Sequence, residues 1–215
     1  PRPVAAPPTP QITGYVMTDS NLKTARDAWF ADATAAEATY GHISTWDTSR
    51  VTDMGFLFCG DSIYCSGTRA SFNEDISAWD TSGVTTMTWM FFGTSFNQDI
   101  SGWAVHSVLD MVGMFWLASA FNQDIGAWDT SGVRNMNRMF ERASAFNQDI
   151  GDWAIQSVTS MEEMFDGASA FNQDLGWCVD NDVSLDDAFL DSGCDSTSCG
   201  VLQGDACASA PRPTP

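Results

Sequence analysis

Six cysteines, two histidines and a recurring aspartate are the side chains of this sequence whose types and spacing bear on chemistry. A structural zinc site needs thiolates in tight pairs, typically C-x₂₋₄-C. Cys194 and Cys199 ("CDSTSC") reach the upper end of that spacing, but no second tight pair or nearby histidine completes a site. Cys59, Cys65, Cys178, Cys194, Cys199 and Cys207 are therefore expected as disulfides, which places the chain in an oxidising compartment. Cys59 and Cys65 are close enough in sequence to form one pair, and the remaining pairings stay open. The aspartates fall at Asp75, Asp99, Asp124, Asp149 and Asp174, inside the phrase F-N-Q-D-I or a close variant. Carboxylates stacked about 5 Å apart repel unless a cation bridges them or backbone amides pair with them. Calcium is the ion class that takes such oxygen ligands. No D-x-D-x-D-G loop is present, so the aspartates read first as acceptors for turn amides, with calcium binding as the alternative.

Catalysis finds little to work with. His42 and His106 are the ordinary bases near neutral pH, and neither stands beside a nucleophile motif. There is no G-x-S-x-G, no phosphate loop and no H-E-x-x-H. A carboxylate repeated in every unit is not a tuned acid/base pair either. No catalytic residue and no cofactor is expected. The formal charge of −19 repels phosphates and anionic headgroups, which makes nucleic acid and anionic lipid poor partners, so neither nucleic-acid binding nor membrane insertion is expected. No apolar run approaches the ~20 residues of a membrane helix. No charged-then-apolar leader opens the sequence, so a secreted form would already have lost it.

The elements that must position these residues come from a repeat. Its clearest copies begin at Phe72, Phe96, Phe121, Phe146 and Phe171, at intervals of 24, 25, 25 and 25 residues. Trp79, Trp103, Trp128 and Trp153 follow in register, and Trp177 comes one place early. Methionines pair at i and i+3, as Met87/Met90, Met111/Met114, Met136/Met139 and Met161/Met164; the first unit has Met54 with Leu57. Nine of the ten methionines thus occupy repeat positions. A fixed period of this length indicates an array of stacked units. Its apolar columns are expected in the core, and the asparagines Asn73, Asn97, Asn122, Asn147 and Asn172 in an inward amide ladder. Trp89 and Trp116 fall off the main tryptophan column and are candidate surface contacts, because large aromatics enrich binding surfaces.

Around the array, residues 1–10 and 209–215 are proline-rich linkers, which favour extended spacers. Residues 11–41 form an N-terminal cap containing one helix, capped by Asp19 or Ser20 and closed by Gly41. Residues 42–190 are the repeats, and 191–208 a cysteine-rich C-terminal cap.

The consensus F-N-Q-D-I-x-x-W-D-T-S-x-V-x-x-M-x-x-M-F-x-x-A, over roughly residues 40–190, resembles the BspA-like surface-protein repeat, a relative of leucine-rich repeats. The phrase MF-x-x-A also looks like related treponemal-type repeats. The resemblance implies a leucine-rich-repeat-like β-solenoid with short strands near N-Q-D-I-x-x-W, helical or 3₁₀ turns, an N-terminal helical cap and a disulfide-rich C-terminal cap. It also implies a secreted or cell-surface adhesion module and brings no catalytic residues. The chain departs from a uniform repeat: WDTS stands at Trp46, Trp79 and Trp128, but Trp103 and Trp153 lead into Ala-Val-His-Ser and Ala-Ile-Gln-Ser. The functional expectation is a non-enzymatic extracellular module binding protein or glycan partners. The alternatives are a building block of an extracellular filament or coat, joined to neighbouring copies through proline-rich arms, and a calcium-responsive module.

Overall fold

Turns build this protein, and the apolar repeat positions join in one continuous core. The computed structural model describes residues 14–60, 63–65 and 69–209. The expected proline-rich linkers lie outside this span except for Ser209, as does part of the insertion after Cys59.

The chain enters through strand β1 (Val16–Thr18), followed by helices α1 (Leu22–Ala31) and α2 (Ala33–Tyr40). The single helix expected here is two. The backbone turns extended at Asp32 (φ −158°, ψ 98°), and its carboxylate accepts from the Ala35 amide at 3.1 Å to start α2. Neither Asp19 nor Ser20 caps α1: Asn21 holds that place without a side-chain bond to the helix's own amides. Asp19 instead accepts from the Thr52 amide and hydroxyl at 2.7 and 2.6 Å and from the Asp53 amide at 3.1 Å, tying the entry segment to the first repeat. Helix α1 buries Leu22, Ala25 and Trp29, and its Arg26 Nη1 donates to the Leu57 carbonyl at 2.8 Å. A short 3₁₀ turn (Ile43–Thr45) leads to β2 (Asp47–Arg50), which pairs in parallel with β1.

Within the repeats, two phenylalanine columns run side by side. Phe72, Phe96, Phe121, Phe146 and Phe171 stack at centroid distances of 5.9, 6.3, 6.0 and 5.9 Å. Phe58, Phe91, Phe115, Phe140, Phe165 and Phe189 stack at 5.7, 5.5, 5.6, 5.6 and 5.3 Å. The column tryptophans are buried, and each indole N–H finds a carbonyl of the preceding unit: Trp79 to Ile43 (2.9 Å), Trp103 to Ile76 (3.3 Å), Trp128 to Ile100 (3.1 Å), Trp153 to Ile125 (3.0 Å). That answers the requirement that a buried indole N–H be bonded.

Along the M-x-x-M-F stretch the units are joined by a ladder in which each unit donates to the next, while a residue ahead of that stretch, as in Arg134 to Leu109, donates to the unit before. Met111, Gly113, Phe115 and Leu117 donate their amides to the carbonyls of Asn135, Asn137, Met139 and Glu141 at 2.8–3.0 Å, and the equivalent residues of other units do the same. Between them the second methionine bonds locally, as in Met114 N to Met111 O at 3.1 Å. This alternation requires left-handed backbone at two places per unit. The first is Phe56, Trp89, Gly113, Arg138, Glu163 and Asp187, with φ between 51° and 60°. The second, four residues on, is Gly93, Leu117, Arg142, Gly167 and Asp191.

The leucine-rich-repeat-like β-solenoid expected from sequence is overturned by this arrangement. Among the described residues, strands occur only in two two-stranded parallel sheets, β1–β2 near one end and β3 (Cys178–Val179) with β4 (Leu202–Gln203) near the other. Between them stand turns, bends and single-residue parallel bridges, from Asp53↔Thr86 to Ser160↔Ser184. The physical reason is local. In the expected strand N-Q-D-I-x-x-W, the tryptophan amide bonds back to the isoleucine three residues earlier, as in Trp128 N to Ile125 O at 3.2 Å. That closes a turn where a strand needs extended residues.

The C-terminal segment is held by Cys178–Cys207 and Cys194–Cys199, and the first repeat by Cys59–Cys65, with Cα separations of 5.6, 5.6 and 5.9 Å. Helix α3 (Asp205–Ser209) carries Cys207. Three disulfides place the folded chain in an oxidising environment. Among the described residues no helix is long and apolar enough to cross a membrane.

Candidate functional site

The repeated aspartates do local work. Asp75, Asp99, Asp124, Asp149 and Asp174 are all exposed, and each accepts from the amide two residues on: Ser77 (3.0 Å), Ser101 (2.9 Å), Gly126 (3.0 Å), Gly151 (3.0 Å) and Gly176 (3.3 Å). The Ser77 hydroxyl and amide hold the Asp75 carboxyl below its ordinary range. The asparagine ladder forms at the surface and not facing inward. Asn97 N donates to Asn73 Oδ1 at 2.8 Å, and the bond recurs from Asn122 to Asn97, Asn147 to Asn122 and Asn172 to Asn147 at 2.9 Å each. In the WDTS units the aspartate caps its own turn, and the buried threonine reaches the next unit, as Thr130 Oγ1 does to the Ala154 carbonyl at 3.1 Å. In the alternate units Val105 and Ile155 fill that buried place.

His42 is engaged locally with Ser44, its Nδ1 2.8 Å from the hydroxyl. A polar cleft of about 190 Å³ between Ile155–Thr159 and Cys178–Val183 is lined by Ser157, Thr159, Asp180 and Asp182, with no histidine.

What the ladder brings together is a face. The non-glycine residues of its two left-handed columns are partly or fully exposed. The residue after M-F is buried at Phe92 and Glu141 and more open at Trp116, Asp166 and Leu190, and the side chains change character along the stack. The early units place aromatics there. Trp89 packs on Trp116 (5.3 Å), Phe92 (5.1 Å) and Phe56 (5.2 Å), and Tyr64 leans on Trp89 (5.5 Å). Phe56 and Tyr64 are 45% and 59% exposed, and Trp89 and Trp116 are half-buried. Gly113 makes room, since a Cβ there would meet Trp89 Cδ1 at 2.9 Å.

The later units place charge. The Arg138 guanidinium lies over the Trp116 ring, 5.3 Å from its centre, and donates through Nη2 to Glu163 at 2.7 Å. Glu141, Glu163 and Asp166 bring carboxylate oxygens within 4.8 Å of one another. Glu141 is only 4% exposed, and its Oε2 has no hydrogen-bond partner; Arg138 Nε and Arg142 Nε stand 3.8 Å from its two oxygens. Burial pushes the Glu141 carboxyl up against the pull of Arg138, and pushes Asp166 up against the pull of Arg142. Three oxygen donors of this kind suit a hard cation such as calcium, but two guanidinium groups already balance them, so the cluster reads as an ionic network. Asp187 and Asp191 extend the negative charge beyond it.

Reading the sequence pointed to Trp89 and Trp116 because they break the tryptophan column. It missed Phe56, Tyr64, Arg138, Glu141, Glu163 and Asp166. The signal was present: Trp116, Glu141 and Asp166 follow M-F in successive units, 25 residues apart, where a core column would have kept one residue type.

A family model described as "Mycoplasma protein of unknown function, DUF285" matches the chain twice, over residues 24–131 and 94–196. No curated protein and no solved structure matches it.

Proposed function

We propose that this chain, which belongs to the family described as Mycoplasma protein of unknown function, DUF285, is a non-enzymatic, extracellular interaction module of the BspA-like kind, displayed on a cell surface. Its aromatic-to-acidic face is the contact surface. The partner is a protein segment bearing arginine or lysine.

The observation that carries this reading is the identity of the residues at strained positions. Left-handed backbone costs a non-glycine residue about 1–2 kcal/mol, and glycine would remove that cost. Yet Phe56, Trp89, Leu117, Arg138, Arg142, Glu163, Asp187 and Asp191 occupy those places, and all of them are at least partly exposed. Strain of this kind gathers where side chains are presented for a purpose beyond folding. Arg138 on Trp116 is an internal example of the contact proposed: a guanidinium on an aromatic ring, braced by a carboxylate. The net charge of −19 steers basic partners toward the chain and repels acidic ones. The oxidising environment that the disulfides require agrees with an extracellular place.

Chromatography on an immobilised arginine-rich peptide tests the reading. Retention is expected at low salt, falling as ionic strength rises and falling at least tenfold in affinity for Trp116→Ala and Phe56→Ala. Retention that ignores both substitutions would put the contact elsewhere and defeat the proposal.

A further inference from the structure

The ladder ends with its donors open. In the fifth unit the amides of Met161, Glu163, Phe165 and Gly167 bond to the carbonyls of Ser184, Asp186, Ala188 and Leu190 at 2.8–2.9 Å. The corresponding amides of the last unit belong to Leu185, Asp187, Phe189 and Asp191, and among the described residues none of these has an acceptor. The row is already formed: Asp187 and Asp191 hold the left-handed backbone of the earlier units, at φ 51° and 52°, although no unit follows. Beside it runs an open cleft of about 400 Å³ lined by Leu185, Phe189, Leu190, Asp195 and Gln203 among others. Leu190 is 50% exposed. The other end of the ladder is closed, because α1 lies there with Arg26 donating to Leu57 O, so a second ladder cannot simply dock end to end.

The chemistry of the row selects its occupant. It offers donors and asks for acceptors. Successive backbone amides attract anions, but Asp186, Asp187, Asp191 and Asp195 rim this edge and repel them. An ordinary extended segment would set its own amide hydrogens against the row and leave them unpaired. A proline-rich segment supplies carbonyls with fewer of those hydrogens, since each proline removes one, and favours extended backbone beforehand. An arginine within it would meet the aspartate rim, and apolar side chains would meet Leu190 and Phe189. Residues 1–10, PRPVAAPPTP, have this composition.

We propose that the C-terminal edge of the ladder, at Leu185, Asp187, Phe189 and Asp191, binds the proline-rich segment 1–10 of a second copy of this chain. The edge is the last, acidic unit of the face described above, but the inference rests on its open amides and not on that face's aromatic residues.

Fluorescence polarisation of a labelled PRPVAAPPTP peptide with the full chain is the test. Saturable binding is expected, weakened at least tenfold by Leu190→Lys in the protein, which leaves an exposed residue exposed, and by Arg2→Glu in the peptide. A peptide with its prolines changed to alanine keeps every carbonyl but regains amide hydrogens, and it should bind more weakly than the original. Trp116→Ala should leave this binding unchanged, which separates it from the aromatic face. No saturable binding, or binding indifferent to Leu190→Lys, would overturn the proposal.

Discussion

Glu141 shows how one residue position changes meaning along the stack. The place after M-F holds Trp116 in one unit, Glu141 in the next and Asp166 in the one after. At Glu141 the carboxylate is buried against the ladder, and burial raises its pKa above the ordinary value of about 4.3. A raised acid favours the fold in its protonated form, so its contribution is complete below the ordinary value and is lost as pH rises through the raised one. Thermal melts should therefore show wild type losing stability relative to Glu141→Gln as pH is taken from about 4 to about 7. A gap that stays constant across that range would mean the carboxylate is not perturbed. The turn aspartates run the other way. Serine donors hold Asp75 and Asp80 below the ordinary range, so their stabilisation is present above it and is lost as pH falls beneath it. Gly113 belongs to this scale too: with φ 55° and Trp89 Cδ1 2.9 Å from where a Cβ would stand, Gly113→Ala should cost on the order of 1–3 kcal/mol. Little change in chemical denaturation would show that Trp89 is free to move aside.

At the scale of elements, the unit is a turn-built loop whose apolar residues were legible in the sequence. The F, I, W, V, M, M, F positions that recur every 25 residues are the buried ones, from Phe121 through Phe140. Trp128, 3% exposed, stacks on Trp153 at 6.3 Å and bonds to Ile100 O. Trp128→Ala is expected to cost about 3–5 kcal/mol through the cavity it leaves, measurable by urea unfolding. A near-zero change would remove the tryptophan column from the core. The secondary structure was not legible in the same way. Apolar spacing tells which side chains go inward but not how the backbone between them satisfies its hydrogen bonds. Here asparagine and aspartate side chains take amides that a sheet would have paired, and left-handed residues such as Arg138 and Glu163 carry no compositional signal, since glycine is the residue that normally marks such backbone. The helix break at Asp32 was hidden for a related reason: aspartate is an ordinary residue in a helical pattern until its carboxylate caps the next helix. The Cys178–Cys207 bridge closes a separation of 29 residues between β3 and α3. Cys178→Ser with Cys207→Ser should lower stability by about 3–4 kcal/mol, and a variant melting with wild type would show that the β3–β4 pair holds this segment unaided.

For the whole molecule, the candidate face was less legible than the core because it is defined by change and not by repetition. A column that keeps one residue announces itself at a fixed period. The column that passes from Phe92 to Trp116, Glu141, Asp166 and Leu190 looks like variation until the backbone shows that these residues share a side. Trp89 and Trp116 stood out only as exceptions to another column. The resulting molecule is polar along its length, closed at one end by α1, aromatic in its early units and acidic in its later ones. That gradient, with a net charge of −19, is the basis for assigning it a basic partner.

The most direct measurement follows the indole N–H signals of the tryptophans during titration with an arginine-rich peptide free of proline. The signals of Trp89 and Trp116 should shift and saturate together, while those of Trp79, Trp103, Trp128 and Trp153, bonded to carbonyls inside the stack, should stay in place. Movement of the interior signals, or binding of this arginine-rich peptide without disturbing Trp89 and Trp116, would contradict the assignment of this face.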